Sequence, residues 1–326
     1  MPAYSSSSIE RETVDVLELP DGVRVGLPVM RLRGRKGPKL VIVAAIDGWE
    51  VVGVDVIRRV LTEEVNPTAL RGSIVAVPVG NPIAFQRSAY KFATDILDVD
   101  ACFPGDEKGS ASQRIASALW EIIKGSDCYL NVHGMEGPSV PFSVLAGTDK
   151  NREVSRLSSE IAKAFGVLRV QPPVEEGKRR YTSSNTYAIE HGVPGFTVEL
   201  PQPGQFIDER DVATGVRGVL NVMRHLKMIR GRPEPQPDRP DIGDPVQYEG
   251  LFAGRGGLVH PSCRPGEMVR AGQTVARTLS VFGDVAEELK SPRDGVVMSY
   301  PVSHAGIPVN QVVTTGDPVC WIGYNG

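Results

Sequence analysis

The 326-residue sequence predicts an α/β protein with a mostly parallel or mixed sheet, helices on both of its faces, and a small all-β, barrel-like unit at the carboxyl end. Three observations predict it. Short β-branched runs alternate with amphipathic stretches of helical length; a proline- and charge-rich segment breaks that alternation near residue 230; beyond it, only short alternating runs at turn spacing occur.

Residues 12–34 alternate apolar and polar positions around Pro20-Asp21-Gly22, the pattern of a hairpin. Lys39 to Ile46 is an unbroken apolar run entered through Gly37-Pro38, as expected of a central strand covered on both faces. Val51, Val54, Ile57, Val60 and Leu61 then fall at helical spacing, so Asp47-Gly48-Trp49-Glu50 is placed at the carboxyl end of a strand, where open α/β sheets bind ligands. The unit recurs. Gly72–Val79 reads as a strand, Ala111–Ile123 as a helix, and Cys128–Val132 as a strand ending on His133. Arg152–Phe165 reads as a helix, Gly195–Leu200 as a buried strand, and Val212–Met228 as a last helix. These boundaries divide the chain into an α/β domain over residues 1–230, a linker over 231–245 and a β-rich unit over 246–326. Gly266–Gln273 in that unit is similar to a half-repeat of biotinyl/lipoyl-type barrels, but no lysine stands at an evident swinging-arm hairpin.

With 41% hydrophobic and 23% charged residues the chain can bury a substantial core, and a formal net charge of −3 without like-charge runs gives no footprint for nucleic acid or an anionic membrane. A small molecule is the expected partner. The amino-terminal residues lack the apolar stretch of a secretory signal and no segment approaches a membrane span, so the expected location is the cytoplasm. Self-association into a homo-oligomer stays open. The four cysteines form no C-x-x-C pair and read as free thiols.

Three segments each put a metal- or proton-competent side chain at the end of a predicted strand: Asp47 and Glu50, then His133, then Glu199. An ionised carboxylate beside an apolar strand is costly unless a metal or partner compensates it. In order and spacing, Asp47-Gly48-Trp49-Glu50, Asn81-Pro82, Asp98 to Gly105 with its Phe103-Pro104-Gly105 ending, Asn131-Val132-His133 and Thr197-Val198-Glu199 resemble the succinylglutamate desuccinylase/aspartoacylase family, a branch of the zinc carboxypeptidase fold. The resemblance covers most of the chain from about residue 37. It implies that Glu50 and His133 bind zinc, and that Glu199 serves as general base on a metal-bound water and then as acid toward the leaving amine of a small-molecule amide.

The departures from the family pattern are informative. Asp47 stands where the family has its first histidine ligand; a site of two carboxylates and one imidazole is less electrophilic and friendlier to manganese or another hard metal. Ala101 replaces a substrate-binding arginine, with Asp100 where asparagine would stand, and the arginine expected after Asn-Pro falls at Tyr90, with Arg87 three residues away. Arginine is the preferred partner of a carboxylate, so a pocket of Asn81, Arg87, Tyr90, Asp98 and Asp100 is expected to take a substrate lacking the usual α-carboxylate, such as an amine-bearing or capped amide. A non-catalytic relative kept as a small-molecule binding protein is the alternative. Competing readings exist for single residues. Asp47 with Glu50 has the spacing of a capping box; His191, His225, His260 and His304 read as structural; Glu136 is equally a site neighbour or a solvated acid; Cys102 reads as packing rather than a nucleophile.

Overall fold

The computed structural model describes residues 8–87, 94–146, 148–171, 183–203, 206–300 and 312–325. The predicted hairpin forms from β1 (Ile9–Glu18) and β2 (Arg24–Arg33), paired antiparallel. Next to β2 lies β4 (Arg71–Val77), then β3 (Arg35–Ala44), β5 (Cys128–Met135) and β8 (Gly195–Pro201). From β4 to β8 every neighbour is parallel, and β6 (Phe142–Val144) and β7 (Leu168–Val170) extend the sheet beyond β8. The sheet is therefore mixed around a parallel centre.

Helices cover both faces because the central strands are apolar on both. Leu40, Ile42, Leu130 and Val198 face α1 (Val52–Arg59), α4 (Arg152–Phe165) and α6 (Glu209–His225) through Val56, Ile57, Ile161, Phe165 and Val219. Val41, Val43 and Tyr129 face α2 (Pro82–Gln86), α3 (Ala111–Ile123) and α5 (Ser184–Glu190) through Ile83, Ile115, Leu119 and Ala188. Alternate residues of β3 thus feed two different cores, which is why its sequence shows no alternation. α1 runs on into a π-turn over Val60–Glu64.

No helix or strand occurs between Leu226 and Pro245, and the segment is fastened to the α/β layers. Asn221 accepts from Glu234 N and donates to Glu234 O, and buried Gln236 donates to the Phe165 and Thr214 carbonyls. β9 (Val246–Phe252) then joins the main sheet beside β7 through Val170 and Val246. β16 (Pro318–Asn325), β14 (Gly295–Ser299) and β11 (Met268–Val269) continue that sheet, which reaches twelve strands. A second sheet is formed by β13 (Val285–Lys290), β12 (Thr274–Leu279), β10 (Gly257–Pro261) and β15 (Val312–Val313). Val259, Val275, Leu289, Val297, Val319 and Ile322 give this end its own core, although it shares a sheet with the α/β part. Among the described residues no helix is long and apolar enough to cross a membrane.

Candidate metal centre and active site

β3 ends at Ala44, and Ala45 takes a left-handed conformation at φ +47°, uncommon for a residue with a side chain. The Ala44 and Ala45 carbonyls accept from Gly80 N and Asn81 N, strapping the following turn to the loop after β4. That turn carries Asp47 and Glu50. It lies so close to α2 that a Cβ on Gly48 would sit 2.2 Å from the Ala84 carbonyl carbon, so glycine is required there. Fully buried Gln202 clamps the turn from the end of β8: its Nε2 donates to Trp49 O at 2.8 Å and its Oε1 accepts from Val52 N at 2.8 Å.

Asp47 is not a helix cap. α1 is capped at Val51 without a side-chain hydrogen bond, and Glu50 N donates to the main-chain oxygen of Asp47, not to its carboxylate. Both acids instead turn toward His133, which β5 delivers from the neighbouring strand. His133 Nδ1 lies 2.8 Å from Glu50 Oε2 and 3.5 Å from Asp47 Oδ2, and ligand atoms of the three residues all fall within 4.8 Å of one another. Three buried polar side chains converge on one point. Despite the short approach, Glu50 Oε2 has no properly directed hydrogen bond, and Asp47 Oδ1 and His133 Nε2 have no partner at all.

Burial works against a charged imidazole, but Glu50, Asp47 and Glu199 more than reverse it and raise the His133 pKa well above its ordinary value. For Glu50 burial is the leading effect, and with repulsion from Asp47 and Glu199 it outweighs His133 and pushes the carboxyl well up. Without a metal the site is therefore proton-rich. A divalent cation would replace those protons, satisfy the orphaned oxygens and balance the carboxylates. Two carboxylates and an imidazole fit zinc and also harder ions such as manganese.

Glu199 completes the group from β8. It is the register partner of His133 across the parallel β5–β8 pair, so the two side chains rise from the same face of the sheet.

This arrangement has relatives. The model of the succinylglutamate desuccinylase/aspartoacylase catalytic domain matches residues 36–226, more than half of the chain. The chain belongs to that family. It is an amide-hydrolysing enzyme. A curated relative, the N-alpha-acetyl-L-2,4-diaminobutyric acid deacetylase of Halomonas elongata, is 26% identical over 292 residues, covering 86% of this chain and 82% of the relative. Among solved structures, a succinylglutamate desuccinylase/aspartoacylase from Rhodobacter sphaeroides superposes with a TM-score of 0.81 at 24% identity, covering 98% of this chain and 96% of that one. The product-bound ectoine utilization protein of Ruegeria pomeroyi gives 0.82 at 20%, covering 97% and 95%. A metallo-carboxypeptidase from Burkholderia cenocepacia gives 0.52 at 14% over 67% of this chain and 64% of its own length, in line with the carboxypeptidase-like fold.

The other predicted residues of this family member occupy several environments. Asn81 is fully buried and caps α2 by accepting from Ala84 N. Arg87 is exposed at the other end of α2, and Tyr90 lies outside the described residues. Asp98 Oδ1 accepts from Asp100 N. Asp100 is buried, its Oδ1 accepting from Asn131 Nδ2 at 3.1 Å and from Ser184 N at 3.3 Å; burial, opposed by His133 and aided by Asp98, pushes its pKa up to about 6. Asp100 thus braces the strand that carries His133. Cys102 is half-buried, and burial with Asp95 and Asp98 pushes its thiol up to about 11, consistent with packing and not nucleophilic use. His191, His225 and His260 are exposed rather than part of the core, and His304 lies outside the described residues. Sequence reasoning missed Gln202, because glutamine carries no catalytic signal, and left Glu136 undecided. Burial, with Asp47 and Glu199 nearby, raises Glu136 to about 7, so it is a neighbour of the site.

Proposed function

We propose that this protein is a metal-dependent deacylase that hydrolyses the amide of a small N-acyl compound bearing a free amino group. One observation carries the reading: Asp47, Glu50 and His133 converge at strand ends with orphaned ligand atoms, and Glu199 rises beside them from the adjacent strand. A divalent metal at that point, zinc first and manganese next, would polarise the amide carbonyl and acidify the attacking water. Glu199 is the residue placed to accept a proton from the attacking water and would return it to the leaving amine. Asp47, Glu50 and His133 are all buried, so charges at this point interact more strongly than they would in bulk water. An amine-bearing substrate is supported by the acids at the site and by the curated relative, whose substrate carries a second amino group. That substrate also keeps a carboxylate, which the loss of the family arginines at Ala101 and Tyr90 argues against here.

The test is direct. Purified without chelator, the protein is expected to hold one metal per chain and to release acetate from N-alpha-acetyl-2,4-diaminobutyric acid or, faster, from its carboxamide. A wild-type protein that holds no metal and releases no acetate would overturn this metal-dependent reading.

A further inference from the structure

The turn that carries Asp47 and Glu50 rests on α2, and one residue, Asn81, ties the two together. Its N–H donates to the Ala45 carbonyl at 2.9 Å. Ala45 is the left-handed residue at φ +47°, two positions before Asp47, and such a conformation persists only where its surroundings over-determine it. From the same residue, the side-chain Oδ1 accepts from Ala84 N at 3.2 Å and the main-chain oxygen accepts from Phe85 N at 3.0 Å. These bonds fix the Ala84–Phe85 peptide, whose atoms are the ones that a Cβ on Gly48 would strike. The contacts close a ring: Ala45 to Asn81, Asn81 to Ala84 and Phe85, and these back to Gly48, the neighbour of Asp47. α2 has only five residues and opens on Pro82, so it cannot hold its place by its own hydrogen bonds. Asn81 is fully buried, and an alanine there would leave Ala84 N without its side-chain acceptor.

We infer that Asn81 is a positioning residue for the metal centre: through α2 it sets where the Asp47 carboxylate lies relative to His133, and the affinity of the site for its ion depends on the Asn81 side-chain oxygen. This rests on the metal-dependent reading, and it moves Asn81 from the substrate pocket, where the family resemblance put it, to the support of the metal site. Metal–ligand bonds tolerate departures of only about 0.2 Å. A turn released from α2 therefore loses Asp47 as a ligand before it loses its fold.

The experiment measures zinc affinity by competition with a chelating dye, and Tm in the presence of chelator, for wild type, Asn81→Ala, Asn81→Ser and Val319→Ala. Val319 is buried in the core of the β-rich end, so its truncation is expected to lower Tm and leave zinc affinity unchanged. Asn81→Ala is expected to weaken zinc binding about fivefold or more, the loss of one cap expressed at the site; Asn81→Ser, which keeps a neutral acceptor, is expected to retain most of the affinity. At saturating zinc, KM of Asn81→Ala for N-alpha-acetyl-2,4-diaminobutyric acid is expected to stay within about twofold of wild type. Unchanged zinc affinity in Asn81→Ala, with or without a raised KM, overturns the inference, as does a loss of affinity in Val319→Ala equal to that in Asn81→Ala. Should Asn81→Ala not fold, Asn81→Gly, which also lacks the oxygen but suits the cap conformation better, is read by the same criteria. A wild type that holds no zinc overturns the metal-dependent reading and this inference together, whereas equal affinities among zinc-binding proteins overturn the inference alone.

Discussion

Asp47 and Glu199 are both carboxylates within reach of one histidine, yet the geometry gives them different work. Asp47 is held by a strapped turn with Oδ2 3.5 Å from His133 Nδ1 and Oδ1 buried without a partner, whereas Glu199 sits on a strand as the register neighbour of His133 and is not in the converging group. Substituting them should separate the roles. Glu199→Gln is expected to keep stoichiometric metal and lose on the order of 10²–10⁴-fold in kcat, the usual range for a general base. Asp47→Ala is expected to lose the metal itself, read by elemental analysis. Asp47→His restores the family ligand and is expected to move metal preference from manganese toward zinc, because imidazole is the softer donor and removes one negative charge; equal relative affinities in a competition titration would show that Asp47 does not touch the ion.

The elements that build the site differ in how far they can be read from sequence. α3 and α4 form over the predicted residues 111–123 and 152–165, because each presents one apolar stripe to one core. β6 and β7 are three residues each, too short for any period to show, and exist only because β8 and β9 pair with them. The three metal-competent residues were legible, since each follows a run whose burial makes a polar side chain conspicuous. Their spacing also allowed a capping box at Asp47, and only the start of α1 at Val52 excludes it. Asn81 read as a substrate residue through the resemblance, but its side-chain oxygen caps α2. Gln202 gave no signal, because its importance lies in two backbone groups 150 and 153 residues away in sequence that come together only in the fold. It carries a prediction at this scale. Gln202→Leu leaves Val52 N and Trp49 O buried without partners, at about 1–3 kcal/mol each, and frees the turn that carries Asp47 and Glu50. A lower Tm together with weaker metal binding is expected; a lower Tm with unchanged metal affinity would mean that Gln202 supports the fold but not the site.

For the whole molecule, the clustering of buried acids sets how stability responds to pH. In the folded protein without metal, Glu136 titrates at about 7 against an ordinary 4.5, and Asp100 at about 6 against 3.8, while Glu50 and His133 are raised in the same direction. The Glu136 shift has burial as its first cause, with Asp47 and Glu199 adding to it. Each of these groups therefore holds its proton to a higher pH in the native state than in the unfolded chain. Between roughly pH 4 and pH 7 the native state binds more protons than the unfolded one, so the slope of unfolding free energy with pH is negative and the metal-free fold loses stability as pH rises. Full ionisation of Glu136 and Asp100 costs up to about 3 kcal/mol each before solvent screening reduces it. A bound divalent metal should oppose the trend, because it needs Asp47, Glu50 and His133 deprotonated and its affinity grows as they lose protons. Calorimetric scans with chelator are therefore expected to show Tm falling steadily from about pH 5 to about pH 8, and scans with saturating zinc to show a flat or rising Tm over the same range. The gap between the two curves should widen with pH, since stabilisation by a ligand grows with its affinity for the native state. Parallel curves would mean that the metal binds elsewhere than at the three buried side chains, and no other result bears so directly on the arrangement of acids around His133.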